Sequence, residues 1–402
     1  MTCEVCGSEY GNTILNLGNH PLCDDLIPFG SKTVVEKFHQ LISLCEVCLT
    51  AHQMKPVEKE ILFKPSYHYR GSLTKDVLDG MKTLAEDLKV VFDALDETAT
   101  VLDIGCNDGS LLGIFKEKYS CITVGVDPTQ AIVESGQNID YKYNEYFSVE
   151  TVRAILDNHK SIDLITFTNV FAHIEDLPLL LANLRMLIAE NTTLVIENHY
   201  LGSILERNQF DTFYHEHPRT YSLRSFKYIA NTLGMVITDV NFPSRYGGNI
   251  RVTMKKSGEL PILSTYESTE DGFVSKFRDM QATYDTWLRH SQEVLQDLLN
   301  KGNVVGKALP GRAVMLISAL GVNETQMPIL FEQPNSPKVG NYVPGTQIEI
   351  RSDAELIATS PNALIVWSWH IIDEIVEYLD RLGYRGQIWV PLPEFRLYRE
   401  AL

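Results

Sequence analysis

One cysteine pair is written twice in this chain. Cys3-Glu-Val-Cys6 opens the sequence and Cys45-Glu-Val-Cys48 repeats it, with residues 7–44 between them. Two C-x2-C pairs supply the four thiolates of a tetrahedral zinc, because each short loop brings two sulfurs about a metal's width apart. Gly7 lets backbone amides turn toward the first pair; Leu49 follows the second. The interval is longer than a zinc ribbon's, so a small subdomain must close between the pairs. A CxxC redox site and coincidental cysteines are the rival readings, and duplication weighs against both. Four sulfurs leave no open coordination position, so the expected zinc is structural and ties down the N-terminus. Cys23, Cys106 and Cys121 remain as packed or incidental thiols.

At 402 residues the chain is long enough for two or three domains. A formal net charge of −17 disfavours nucleic acid or an anionic membrane as the main partner. An anionic ligand would need a local basic pocket. No apolar run approaches the roughly 20 residues of a spanning helix, and Met1-Thr-Cys-Glu4 does not resemble a signal peptide. Cysteines in metal-type pairs suit a reducing compartment. The expectation is a cytoplasmic monomer with no membrane and no nucleic-acid partner.

From Gly71 to Leu95 apolar residues fall at helical spacing (Val77, Met81, Leu84, Leu88, Val91). Apolar runs at Thr98–Ile104, Ile122–Val126, Ile162–Thr168 and Thr193–Glu197 then alternate with helix-like segments, which describes a parallel sheet covered on both faces. Residues 270–301 read as one long amphipathic helix. A second αβ series follows, with candidate strands at Ala313–Ile317, Ala363–Trp367 and Gly386–Val390. The fold class is therefore α/β in three parts: a zinc-binding domain over 1–65, a Rossmann-like domain over 66–255, and a second Rossmann-like domain over 256–402.

The turn Asp103-Ile-Gly105-Cys-Asn107-Asp-Gly109 joins a strand to a helix start. Gly105 and Gly109 let a ligand approach the backbone closely. The spacing departs from the G-x-G-x-x-G dinucleotide fingerprint. Asp103 and Asp108 place negative charge nearby, which suits a cationic or zwitterionic ligand better than a pyrophosphate. Asp127 ends the next strand, where a carboxylate can accept both ribose hydroxyls. Together these resemble the S-adenosylmethionine site of class I methyltransferases; a nicotinamide domain with a decayed fingerprint is the rival.

Asp211-Thr-Phe-Tyr214-His215-Glu216-His217-Pro218 concentrates ionisable groups after the strand ending at Glu197. Two histidines one residue apart suit metal ligation, a surface loop, or proton transfer, in which a neighbouring carboxylate orients the imidazole. Methylation of carbon needs such a base, because the nucleophile exists only after a proton leaves the position beside a carbonyl.

At these residues the chain resembles the nucleotide-linked ketosugar C-methyltransferases, and the likeness runs nearly end to end. It is carried by the cysteine pairs with Leu17-Gly18-Asn-His-Pro21-Leu22, by Tyr67-His-Tyr69-Arg-Gly-Ser72, and by Asn169-Val-Phe-Ala-His173. It continues through Tyr214-His-Glu216-His217, Gly247-Gly248-Asn-Ile-Arg251, Tyr342-Val-Pro344-Gly345-Thr346, Trp367-Ser-Trp369-His and Val390-Pro-Leu-Pro393. The chain departs from the family pattern at Lys307-Ala-Leu-Pro310-Gly311-Arg312 and at Ser318. Pro218 is a further departure, expected to re-aim the chain leaving the site.

The resemblance implies that His217 is the general base, that Tyr214 and Glu216 orient it or polarise the sugar, and that His173 sits at the mouth of the cofactor pocket. His215 takes no role. Asp103, Gly105, Asn107, Gly109, Asp127 and Asn169 would hold S-adenosylmethionine. Tyr67, Tyr69 and Arg251 would contact the sugar nucleotide, with Arg70, Lys75 and Arg245 as further candidates for its diphosphate. Cys3, Cys6, Cys45 and Cys48 would hold zinc. The implied activity is methylation of a carbon alpha to the ketone of a nucleotide-linked deoxy-ketosugar. Methylation of a sugar oxygen and a non-catalytic sugar-nucleotide scaffold are the alternatives.

Overall fold

The structure, a computed structural model, describes residues 1–64, 67, 69–73, 75–95, 98–258 and 268–402. The boundary expected at 65/66, and His68 of the tyrosine-rich segment, lie outside the described residues. Strands are numbered along the chain from β1 to β19.

The cysteine-bearing head is a four-stranded antiparallel sheet of β1 (Ile14–Pro21), β3 (Lys37–Cys45), β4 (Thr50–Gln53) and β10 (Arg219–Thr220), in that order. The turn between β3 and β4 is the second cysteine pair itself. Its edge strand β10 comes from the segment directly after Pro218, so the head is completed by residues remote in sequence. The short strand β2 (Ile27–Pro28) leaves the head and joins the last sheet instead.

Behind the head lies a seven-stranded sheet in the order β11-β12-β9-β8-β5-β6-β7. It contains β5 (Thr100–Ile104), β6 (Ile122–Val126), β7 (Tyr141–Tyr143), β8 (Leu164–Thr168), β9 (Thr193–His199), β11 (Val236–Asn241) and β12 (Asn249–Lys255). All pairs are parallel except those made by β12. The first four expected strands are therefore present, and all five residues of β5 are buried, as a strand covered on both faces requires. Helices α1 (Lys75–Asp87) and α2 (Ser110–Tyr119) pack together beside it.

The third sheet orders β19 (Arg396–Arg399), β18 (Gln387–Val390), β17 (Ala363–Val366), β13 (Val304–Lys307), β14 (Ile329–Glu332), β16 (Glu349–Ser352), β15 (Asn341–Tyr342) and β2. Two of the expected strands are β17 and β18. The third, Ala313–Ile317, is not a strand: it lies inside helix α4 (Gly311–Leu320), preceded by helix α3 (Phe273–Lys301) and the strand Val304–Lys307. The run is buried along its whole length, so it carries no polar face to reveal a helical period, and a short apolar run of this kind does not distinguish strand from helix. Pro310 ahead of the first turn and Gly321 in the left-handed region at the end (φ 69°) mark the helix that forms.

Helix α3, 29 residues long, spans about 44 Å at 1.5 Å per residue. Its buried stripe of Phe273, Phe277, Met280, Tyr284, Trp287, Leu295 and Leu298 touches all three parts. Tyr284 donates to the Leu17 carbonyl of the head (3.2 Å), Trp287 Nε1 donates to the Pro391 carbonyl (2.8 Å), and both rings pack on Phe210 ahead of the histidine cluster.

A second tie runs from α4. Arg312 forks onto Asp211, with Nε to Oδ2 at 2.8 Å and Nη2 to Oδ1 at 2.6 Å, and also donates to Gln209 Oε1 and the Tyr246 carbonyl. Trp369 Nε1 donates to Asp211 Oδ2 at 2.9 Å. Arg312 and Asp211 are both buried, and removing one partner of a buried pair strands the other's charge. Arg312→Met is expected to destabilise the chain by about 3–5 kcal/mol in urea unfolding. Arg312→Met combined with Asp211→Asn should recover a large part of that loss.

Candidate active site

The central sheet reverses its direction of build-up at β5, with β6 and β7 on one side and β8 and β9 on the other. Ligands of open α/β sheets bind in the crevice at the carboxyl ends around such a point. Both Gly105 (φ 73°) and Gly109 (φ 72°) are left-handed. A Cβ on Gly105 would stand 2.4 Å from Val170, and one on Gly109 2.8 Å from Ile139, so neither position tolerates a side chain. Asn107 is left-handed too (φ 51°), and its N–H donates to Asp127 Oδ2 at 2.9 Å. Asp127 Oδ1 accepts from the Thr129 N–H and hydroxyl at 2.8 and 2.5 Å. Three of the roughly four acceptor directions of that carboxylate are thus met within the loop, which leaves room for one ribose hydroxyl rather than the two expected.

Asp103 lies beneath the turn rather than in the crevice. It is buried, accepts from the Thr166 hydroxyl at 2.7 Å, and burial pushes its carboxyl up to about 7. Asn169 closes the end of β8 in the left-handed region, and its Nδ2 is buried without a hydrogen-bond partner among the described residues. Residues 69–72 cover the glycine turn. The Gly71 and Ser72 N–H groups donate to Asn107 Oδ1 (2.9 Å) and Asp108 Oδ2 (2.8 Å), and Arg70 forks onto Glu134. Left-handed glycines, a ribose-level carboxylate and an unmet amide donor fit an adenosyl amino acid.

The histidines gather beside this crevice. His217 and His173 have ring centroids 4.9 Å apart, and His217 stands 4.3 Å from Tyr214. His173 stacks on Phe63 of the head. The structure adds His199, at the end of β9, 5.1 Å from His217 and 5.6 Å from Tyr246. The sequence signal available for His199 was its place at the carboxyl end of a parallel strand.

His217 Nδ1 lies 2.8 Å from the Thr212 carbonyl. A carbonyl only accepts, so Nδ1 carries the hydrogen and Nε2 presents its lone pair. Burial lowers the imidazole to about 4, which keeps it neutral at physiological pH. Glu216 accepts from Cys23 Sγ at 2.8 Å and from the Tyr67 hydroxyl at 3.1 Å. Burial, reinforced by the charge of Asp24, pushes Glu216 up to about 8. Cys23, read above as packed or incidental, therefore sits in the site. His215 faces the other way, toward the Phe38 carbonyl of the head at 3.3 Å.

Among the expected substrate residues, Tyr67 joins Glu216, while Tyr69 is 42 % exposed with its hydroxyl 3.3 Å from that of Tyr246. Arg251 is not brought to the histidines. It lies buried in β12, with Nε on Glu197 at 2.7 Å and Nη1 on Asp87. Arg70 pairs with Glu134, and Lys75 is exposed at the start of α1.

In the head, the Cys3, Cys6, Cys45 and Cys48 sulfurs lie within 4.8 Å of one another. Cys3–Cys48 is 3.5 Å and Cys6–Cys45 is 3.6 Å. A tetrahedron with Zn–S of about 2.3 Å has S···S edges of about 3.8 Å, so the set fits. His52 Nε2 at 3.3 Å from Cys3 is placed as an outer donor to the sulfurs, while Thr50 Oγ1, 3.1 Å from Cys48, gives its hydrogen to Ser225. No helix among the described residues is long and apolar enough to cross a membrane.

Residues 78–240 match a family model described as a methyltransferase domain, and residues 244–393 match one described as a C-methyltransferase C-terminal domain. The C-methyltransferase NovU of Streptomyces niveus is 25% identical over 408 residues, covering 98% of this chain and 96% of that protein. Among solved structures, a SAM-dependent methyltransferase of Archaeoglobus fulgidus is 16% identical with a TM-score of 0.35. It covers 44% of this chain and 94% of its own. Magnesium protoporphyrin IX methyltransferase of Synechocystis PCC 6803 is 14% identical with a TM-score of 0.34, covering 46% and 83%. The chain is a methyltransferase. Its C-terminal domain and its end-to-end likeness to NovU are those of a C-methyltransferase.

Proposed function

We propose that the protein transfers a methyl group from S-adenosylmethionine to the carbon alpha to the ketone of a nucleotide-linked deoxy-ketosugar. The observation that carries this reading is the bond from His217 Nδ1 to the Thr212 carbonyl, which leaves Nε2 as a proton acceptor beside the methyl-donor crevice. Gly105, Asn107, Gly109, Asp127 and Asn169 would hold the donor, which supplies an electrophilic methyl on a sulfonium. His217 Nε2 would take the alpha proton. The resulting enolate oxygen needs hydrogen-bond donors fixed in place before the charge develops. Tyr214, beside His217, is one. Tyr67 is the second: its hydroxyl donates to the Glu216 carboxylate at 3.1 Å, and once Glu216 is protonated that bond would reverse, the carboxyl donating and the phenolic hydrogen turning toward the sugar. Because the methyl is already activated, the protein's work is deprotonation and alignment, and alignment is worth roughly 7–11 kcal/mol.

His217→Asn is expected to lower kcat by about 10²–10⁴-fold while leaving S-adenosylhomocysteine binding within a small factor of the parent. Incubation of the parent with keto-sugar nucleotides in deuterated water, without methyl donor, should add one deuterium to the true substrate, and the variant should not. Full turnover by the variant removes His217 as the base. Methyl gain by the parent without exchange favours oxygen methylation, and binding with neither favours the scaffold.

The pH dependence follows from the same groups. His217 works deprotonated, so kcat/KM should rise as pH climbs through about 4. Glu216 works protonated, so it should fall as pH climbs through about 8. Glu216→Gln, which keeps a donor at that position without a titration, should flatten the alkaline limb in a stopped assay across pH 5–9.

The head would hold one structural zinc on its four cysteines. Elemental analysis should find one zinc per chain, and Cys45→Ser with Cys48→Ser should abolish it. Gln53 Nε2 donates to the Tyr214 and His217 carbonyls at 2.7 and 3.0 Å, so zinc loss should lower turnover as well as the melting temperature.

A further inference from the structure

Arg245 is a buried cation that faces Glu197, the Asp76 charge and the Tyr246 ring (5.2 Å to its centroid), yet leaves two of its donors unmet. It lies in the short turn Arg245–Gly247 ahead of β12 and is 8 % exposed. Its Nη1 reaches Glu197 Oε1 only at 3.5 Å, and that oxygen already accepts from Asn249 Nδ2 at 2.9 Å. The other Glu197 oxygen is taken by Arg251. Nε and Nη2 of Arg245 are buried and have no hydrogen-bond partner among the described residues. Such donors destabilise a fold unless an acceptor arrives.

The place of these donors identifies the acceptor. Asn249 Nδ2 also donates to Asn169 Oδ1 at 3.1 Å, so Arg245 and Asn169 sit on one polar cluster. Asn169 Nδ2 is the third buried, unpartnered donor of that cluster. The next residue, Val170, closes over Gly105. The cluster therefore borders the methyl-donor crevice on the β8–β9 side. Asp127 borders it at the end of β6, two inter-strand steps from β8, about 10 Å at 4.8 Å per step. An acceptor carboxylate at one end and a fork of unmet donors at the other fit a ligand with a ribose at one end and a carboxylate at the other.

We infer that Arg245, assisted by Asn169, binds the α-carboxylate of the methyl donor through its Nε and Nη2. The planar guanidinium offers two parallel N–H groups at carboxylate spacing, which an ammonium does not. A diphosphate is the other anion at hand, and it carries more charge than one guanidinium offsets. The neighbouring Arg251 is already committed to Glu197 and Asp87. The inference rests on S-adenosylmethionine being the donor.

The test is calorimetric titration of the full chain with S-adenosylmethionine and with decarboxylated S-adenosylmethionine, which differ only in the carboxylate. The parent should bind the decarboxylated compound about 10- to 100-fold more weakly. Arg245→Met should bind both compounds at that weaker level, and Arg245→Lys should keep part of the preference. Equal binding of the two compounds by the parent overturns the inference even if the variants do not fold. An undiminished preference in Arg245→Met overturns it as well. So does a loss confined to inorganic pyrophosphate binding, which would assign Arg245 to the sugar nucleotide. Absence of any S-adenosylmethionine binding by the parent instead removes the donor reading itself.

Discussion

The hydrogen bond from His217 Nδ1 to the Thr212 carbonyl decides which nitrogen of a buried imidazole can accept a proton, and much of the molecule is arranged to hold that carbonyl still. Thr212 ends the short helix Phe210–Thr212. Phe210 is gripped by Tyr284 and Trp287 of α3, and Asp211 by Arg312 and Trp369 of the C-terminal part. From the opposite side the head fixes the same segment through main-chain carbonyls: Gln40 takes that of Phe213, and Gln53 takes those of Tyr214 and His217. A histidine on a free loop would sample both tautomers and many orientations; this one is held by three bodies.

That arrangement gives the flanking parts a physical purpose. The head lends β2 to the last sheet and receives β10 from the central part, so the chain is laced rather than strung. Four thiolates in one cluster would need a cation among them, and a cation held there would brace Tyr214 and His217 through Gln53. The last sheet contributes Arg312 and Trp369 from the carboxyl ends of its strands, facing the histidines from the far side.

Features written locally were legible in the sequence. The cysteine spacing, the glycine turn with Asp127, the four leading strands and the long helix all depend on residues close to one another. Patterns of that range survive without tertiary knowledge. Legibility failed where context decides. Ala313–Ile317 has the composition of a buried strand, but Pro310 and Gly321 frame it as a helix packed on all sides. Arg251 looked like an anion ligand because of its motif, yet it neutralises Glu197 inside the sheet. Cys23 looked incidental and donates to Glu216. His199 has no motif around it and reaches the site because β9 ends there.

The sequence by itself determined the α/β class, the two pairs of metal-type cysteines and the glycine turn with its carboxylate, because hydrophobic period and short spacings fix these within a few residues. It also placed Tyr214, Glu216 and His217 on one short segment. Only the tertiary structure decided what those groups could do. The tautomer of His217, the raised carboxyl of Glu216, the pairing of Arg312 with Asp211 and the unmet donors of Arg245 are set by burial and by partners far along the chain. Proton affinity and unmet hydrogen bonds are properties of an environment, and an environment exists only once the chain has folded.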